Sequence, residues 1–447
     1  MGNRKIRRVT ARYNWDRLKV SFWFAPLVMS LIAILLSWLM LLLDKRIPNE
    51  MLENSHLILS GSVSEMRTAL LNMATSILTT AGIVFTLLTP PLSTVAAQYG
   101  SRLLRVFLGD RITQSVLGMF VATFVYCIAS ATSIPPETTY PDAAQITATF
   151  GLLLMLGALG SLVLLVQHIS TMLQAPNIAA AAGAELRDVV SAEIPEVRSG
   201  DGRQGGSEIR PESLLEKDGY PVRVEQAGYI QYIDPQSVIT LAREHNLVIR
   251  LLRKPGHTVW PQARIALVWP ADRVDEALDQ QIRNAFRVGN GRTPTQDVAY
   301  AVNQLVEMAV RAMSPAINDP FTAMTCLDYI GEGLALFIQH GEKSPYYYDR
   351  DNQLRLILEP VTFAELLNGA FNMLRHCSCD NASVLLHMLE VIEAVGQEAK
   401  SPEARQELQR HVSLIQSESQ AGALVENDRQ EIRLRCEALQ EKLMASI

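Results

Sequence analysis

The sequence predicts an α-helical integral membrane protein: four transmembrane helices followed by a cytoplasmic α+β domain with a small β-rich module and a helical C-terminal region. Three observations predict it. Four long apolar stretches lie between residues 21 and 172. The charge divides sharply, net +5 over residues 1–184 and net −11 over residues 185–447. Beyond residue 220 the apolar pattern turns first to short β-branched runs and then to amphipathic helix. An acidic C-terminal half argues against nucleic-acid binding, which needs a clustered positive patch. Five cysteines in 447 residues, an odd number with Cys127 inside an apolar run, do not form a disulfide framework.

A basic arm, residues 1–19, opens the chain and carries Arg4, Lys5, Arg7, Arg8, Arg12, Arg17 and Lys19. The transmembrane domain, 20–174, follows. Residues 21–43 hold no charge, and at 1.5 Å per residue they cross a hydrocarbon core of roughly 30 Å. Tyr13, Trp15, Trp23 and Trp38 bracket this span as interfacial anchors do. The second span, 68–89, is predicted to end at Pro90-Pro91, because neither a proline nor the residue before it sits easily in a helix. Residues 112–134 and 145–172 supply the third and fourth spans, joined through Pro135, Pro136 and Glu137. Gly157 and Ser161 in the last form a small-xxx-small pair suited to close helix contact. Ten positive charges, those of the arm with Arg102, Arg105 and Arg111, flank one side of the membrane, against three on the other. The positive-inside bias therefore puts both termini in the cytoplasm.

The second span is the least apolar. Thr75, Thr79, Gly82, Thr86 and Thr89 recur at helical spacing and place hydroxyls on one face. Two readings stand. Each hydroxyl bonds its own backbone while small residues ease helix packing, or several copies of the face line a polar pathway. The basic amphipathic stretch 95–110 offers Arg102 and Arg105 to lipid phosphate or to anions, beside their role in setting topology.

After Pro176 an alanine-rich helix is predicted over 177–190, within a helix and linker region of 175–220 whose residues 199–207 are glycine-rich. The β-rich module, 221–270, has runs at 222–224, 229–233, 247–252 and 264–268, with a short helix at 237–244. The helical domain, 271–447, begins with Asp272 as a cap and Val274, Leu278, Ile282 and Phe286 on one face. Thr293, Pro294 and Gln296 have capping-box spacing. The helix they would start runs to Met313, with an apolar face (Val298, Val302, Leu305, Ala309) opposite a polar stripe from Asp297 through Tyr300, Gln304 and Glu307 to Arg311. Asp319 before Pro320 repeats the cap-and-proline start. His376, Cys379, Asp380 and His387 fall on one face if that helix is continuous; their spacing is loose for zinc, and core cysteines with an exposed histidine are the plainer reading. An amphipathic tail, 426–447, packs or mediates assembly.

Three segments carry a family resemblance: Arg292-Thr293 with Gln296-Asp297; Ala312-Met313-Ser314-Pro315-Ala316-Ile317-Asn318-Asp319-Pro320-Phe321-Thr322-Ala323; and Gln114, Leu117, Gly118 and Phe120. On these the chain resembles the bacterial membrane proteins labelled domain of unknown function 2254. The resemblance implies four spans plus a cytoplasmic domain and brings no activity. At Pro255–Pro261 the chain departs from the family pattern, with His257 where an acidic residue is implied.

The expected function is that of a homo-oligomeric channel or transporter-like protein of the bacterial inner membrane, gated or assembled by its cytoplasmic domain. Thr75, Thr79, Thr86 and Thr89 are its pathway candidates, and the bilayer, copies of itself, and ions or small solutes its partners. A membrane-anchored sensor or scaffold is the alternative, and a membrane-bound hydrolase the third class. Arg292, Gln296, Asp297, Arg311, Asn318 and Asp319 form a motif that is either structural or ligand-binding. Each has a capping or ion-pair role, no nucleophile-base pair lies near, and no enzymatic activity, cofactor or metal is expected.

Overall fold

Helix α1 (Phe24–Asp44) buries Pro26, Ala33, Ser37 and Asp44 on one side and turns Leu27, Leu31, Leu35 and Trp38 outward. Exposed leucines on a continuous helix are the surface that lipid solvates. In the computed structural model, which describes residues 23–46, 58–59, 61–98, 110–134, 144–172, 174–192, 198–199 and 216–445, the chain divides into two compact units, Met1–Asn177 and Ile178–Ile447. The basic arm, Tyr13, Trp15, Arg102, Arg105, the Pro135–Glu137 loop and the glycine-rich segment 200–207 lie outside the described residues.

Helices α2 (Val63–Gln98), α3 (Arg111–Ser133) and α4 (Gln145–Met172) complete the first unit. The most enclosed is α3, with Phe120, Thr123, Tyr126, Cys127 and Ser130 all buried among the other three. Polar atoms join the helices where they meet. Ser37 and Ser130 share a hydrogen bond of 2.8 Å, and the Tyr126 hydroxyl donates to the Thr147 carbonyl at 2.9 Å. Asp44, at the last residue of α1, accepts from the Ile146 and Thr147 amides at 2.9 and 3.0 Å and from the Thr147 hydroxyl. One helix thus caps the start of another with a carboxylate, where the helix dipole favours negative charge. Asp110 caps α3 through the Thr113 amide at 2.7 Å and meets His168, near the end of α4, at 3.0 Å.

The proline pair does not end α2. The helix continues through Pro90 and Pro91 to Gln98, while its membrane-length apolar part is Val63–Leu87. The two prolines remove only the amide donors to Thr86 and Leu87, a loss that a long helix accommodates by local adjustment in a membrane.

Helix α5 (Ala175–Ser191) leads into the second unit. There strands β1 (Arg198–Ser199), β2 (Tyr220–Arg223), β3 (Gly228–Ile233), β4 (Val248–Leu251), β5 (Thr258–Val259), β6 (Arg264–Trp269), β7 (Phe286–Gly289), β8 (Tyr346–Tyr348) and β9 (Leu354–Leu358) build two sheets. The larger has the order β1-β8-β9-β4-β6-β2 and is antiparallel except for the β4/β9 pair; the smaller is β5-β3-β7. The sheets therefore draw on residues well outside 221–270, because β8 and β9 return to β4 across the chain. Helices α6 (Pro235–Glu244) and α7 (Glu276–Asn284) cover a core that includes Val222, Ile230, Ile249, Ile265 and Ile282. Asp275, not Asp272, caps α7 through the Leu278 amide at 2.7 Å, and Phe286 belongs to a strand.

Helices α8 (Val298–Ala312), α9 (Pro320–His340), α10 (Phe363–Cys377), α11 (Ala382–Glu398), α12 (Pro402–Ala421) and α13 (Glu426–Ala445) form the rest. The polar stripe expected on α8 is not a solvent face: Tyr300 and Gln304 are buried, because α9 and α10 both pack on this helix. His376, Cys379, Asp380 and His387 do not share a helix face, since Asn381 caps a new helix through the Val384 amide at 3.1 Å. Their directions alternate. Asp328 meets His387, Gly331 meets Val391 and Gln339 meets Glu398, so α9 and α11 run parallel. Asn368 meets His411 and Arg375 meets Glu418, so α10 and α12 run parallel too. The turns 313–319, 378–381 and 422–425 consequently lie at one end of the unit.

Among the described residues, five helices are long and apolar enough to cross a membrane: α1, the Val63–Leu87 part of α2, α3, α4 and also α9. The sequence predicts four; it places α9, which has Asp328 and Glu332 within it, in the helical domain of residues 271–447.

Asp44→Ala leaves the α4 amides without their carboxylate and is expected to destabilise the first unit by about 1–3 kcal/mol, with Asp44→Asn recovering part, in detergent unfolding curves. His411 is buried beside Phe371, and burial, with Arg410 and Arg375 adding repulsion, pulls its pKa down to about 4. A depressed histidine pKa means that the unfolded chain binds the proton more tightly. Its contribution, about 3 kcal/mol, is present above pH ~6.5 and lost as pH falls through that value toward about 4. Melting curves of His411→Leu should show a flatter acid limb than wild type.

Candidate functional site

The helix predicted to start at Thr293 starts instead at Asp297, whose carboxylate accepts from the Tyr300 amide at 3.0 Å. Thr293 and Gln296 are thereby freed for other work. The Thr293 hydroxyl donates to the Gln231 carbonyl at 3.1 Å. The Gln296 side chain accepts from the Ile233 amide at 2.9 Å and donates to the Ile233 carbonyl at 3.0 Å, satisfying both backbone groups of that β3 residue as a neighbouring strand would. Arg292 grips Asp297 with two bonds, 2.8 and 2.9 Å, and lies over the Tyr300 ring at 5.3 Å. A bidentate pair in a buried setting fixes direction as well as distance.

Opposite the Asp297 carboxylate stands Gly256, in the turn before β5. It has φ +90, and a Cβ there would fall 2.1 Å from Asp297 Oδ2. Its amide donates to the Ile230 carbonyl at 2.8 Å, and Ile230 donates back to the His257 carbonyl at 3.0 Å. Lys254 in the same turn reaches Glu365, the third-residue member of the α10 capping box, at 2.8 Å. His257 has its pKa lowered by burial and by Lys254 and Arg253, against the opposing pull of Glu359 and Glu365. Arg292, Gln296 and Asp297 therefore set the start of α8 against β3 and against the turn at Gly256.

Arg311, Asn318 and Asp319 do not join them. They sit at the other end of α8, whose 15 residues span about 22 Å, so no acid-base or metal site forms from the two halves of the motif. Arg311 pairs with Glu307 at 3.2 Å. Asn318 has φ +48, the left-handed turn that lets the Asp319 amide return to the Ala312 carbonyl at 2.8 Å. Asp319 then caps α9 through the Thr322 amide at 3.1 Å and the Thr322 hydroxyl at 2.6 Å. Among the described residues no three metal-ligating side chains come together. Sequence reasoning takes Pro255-Gly256 as a turn between two β runs, and gives neither Gly256 nor Lys254 a place beside the motif.

In the first unit, Thr75, Thr79, Thr86 and Thr89 each donate a hydroxyl to the carbonyl four residues back, at 2.9 to 3.1 Å. All four are exposed, on the side of α2 opposite Leu70, Ala74, Ile77 and Val84. A shallow depression lined by Phe85, Thr86, Thr89, Pro90 and Ser93 lies on the same side.

Apolar helices of membrane length, followed by an α+β unit, define a membrane protein with a structured C-terminal domain. The chain belongs to the family described as "Predicted membrane protein (DUF2254)", whose sequence profile matches residues 19–394. It is 26% identical over 381 residues, 83% of this chain and 72% of the relative, to uncharacterized protein Mb1321c of Mycobacterium bovis. The same figures hold for uncharacterized protein Rv1290c of Mycobacterium tuberculosis. No solved structure matches.

Gly256→Ala is expected to cost about 2–4 kcal/mol, from backbone strain and collision with Asp297. In an Asp297→Ala background the same substitution should cost less, because the collision is gone. Equal costs in a denaturation double-mutant cycle would show that the Asp297 contact is not what excludes a side chain there.

Proposed function

We propose that the chain assembles with copies of itself in the bacterial inner membrane and conducts small cations along the polar face of α2, with both termini and the C-terminal unit in the cytoplasm. The observation that carries this reading is the placement of Thr75, Thr79, Thr86 and Thr89 together on the exposed side of α2, turned away from the helices of their own unit. Polar residues within a membrane usually face a bundle interior or a water-filled cavity, and self-association supplies one. The hydroxyl protons are already given to backbone carbonyls, so the oxygens offer lone pairs outward. A row of acceptors replaces water around a cation and not around an anion. The bias of ten basic flanking residues to three supports the orientation, and the C-terminal unit then gates or assembles the ring.

Purified protein in liposomes is expected to pass monovalent cations faster than empty liposomes. In Thr79→Cys, a water-soluble thiol reagent should block that flux. A monomer in detergent combined with no flux above background would remove the proposal.

A further inference from the structure

The C-terminal unit has a polarity that its entry point makes interpretable. Within it α5 and α9 run parallel: Gly183 packs against Tyr329, Arg187 pairs with Glu332 at 2.8 Å, and Leu186 lies on Gly333. The sequence offset across these pairs is nearly constant, so the start of α9 is level with the residues where the chain enters the unit. That entry is Ile178, six residues after α4 ends at Met172. Covalent reach alone holds it within about 20 Å of that helix end.

The three turns 313–319, 378–381 and 422–425 share this end. So do four exposed apolar side chains: Ile317 (45% exposed) and Phe321 (76%) around the first turn, Met373 (61%) one helical turn before the second, and Val425 (64%) in the third. Turns of a soluble domain are normally polar, yet these three hold only two charged residues. Asp319 is bonded to the Thr322 amide, and Asp380 to the Ala423 amide.

We infer that this end of the C-terminal unit docks on the lipid surface, with Ile317, Phe321, Met373 and Val425 entering the interfacial layer of the bilayer that α4 crosses. The partner is lipid because the chain tethers these side chains to a membrane and because separate apolar tips, on two of the turns and on the α10 helical turn leading into the other, suit a fluid interface. The left-handed Asn318 and the Asp319 cap hold Ile317 and Phe321 outward as one rigid corner, which gives the Ser314–Pro320 motif a physical role. The inference does not depend on conduction by α2.

Spin labels at Ile317→Cys, Val425→Cys and His340→Cys, in full-length protein carrying Cys377→Ser and Cys379→Ser and reconstituted in phosphatidylcholine vesicles, test it. Cys326 and Cys436 are buried and Cys127 lies inside the first unit, so these backgrounds stay silent. Oxygen should relax the labels at 317 and 425 more than a water-soluble nickel chelate does, with the reverse at 340, at the far end of α9. Nickel access at 317 and 425 equal to that at 340 would overturn the inference. Spin-spin broadening at 317 that disappears on dilution with unlabelled chain would overturn it in favour of a second copy, and oxygen preference at 340 as well would make α9 a fifth span instead.

Discussion

The carboxylate of Asp297 is the constraint on which the C-terminal unit turns. It caps α8, accepts two bonds from one edge of the Arg292 guanidinium, and fills the space over Gly256. A helical layer and a sheet have no periodic hydrogen bonding in common, so their relative placement depends on a few polar clasps and on apolar contact. Here the clasps are concentrated within six residues. Gln296 completes the β3 backbone beside Asp297, and the α8 direction so set carries the chain to the corner at Ser314–Pro320 on the opposite side of the unit.

The first unit uses the same chemistry at its helix ends. Asp44 satisfies the opening amides of α4, and Asp110 those of α3, with His168 against it. Amides at helix starts have no partner in their own helix, and in a membrane protein they cannot all be left to water. Between these ends the helices meet through small residues and shared hydroxyls such as Ser37 with Ser130. The polar face of α2 stands outside that scheme, turned away from the other helices of its unit. The parallel run of α5 and α9 gives the second unit one end level with the chain's entry at Ile178 and a far end. Exposed apolar side chains lie on two turns and on the end of α10 at the first, and both sheets lie away from it.

Much of this was legible in the sequence. Apolar runs mark the membrane helices, β-branched runs mark β2, β3, β4 and β6, and Asp319 before Pro320 marks the start of α9, since periodicity and capping act over a few residues. The candidate site was legible only as a motif. Arg292 and Asp297 are close in sequence, but the position of Gly256 against them and the pairing of Gln296 with Ile233 depend on folding partners some 40 to 60 residues away. The same reason explains the shifted helix start: Thr293 has a local capping pattern, and tertiary bonds to Gln231 and Ile233 outcompete it. The continuation of α2 through Pro90-Pro91 and the burial of Tyr300 and Gln304 were likewise settled by neighbours and not by local preference. By itself the sequence determined which segments are apolar, where caps and turns are available and which flanking segments carry the positive charge. Only the tertiary structure decided which donors meet which acceptors and which ends of the helices lie together, because those depend on contacts between residues that no short-range pattern relates.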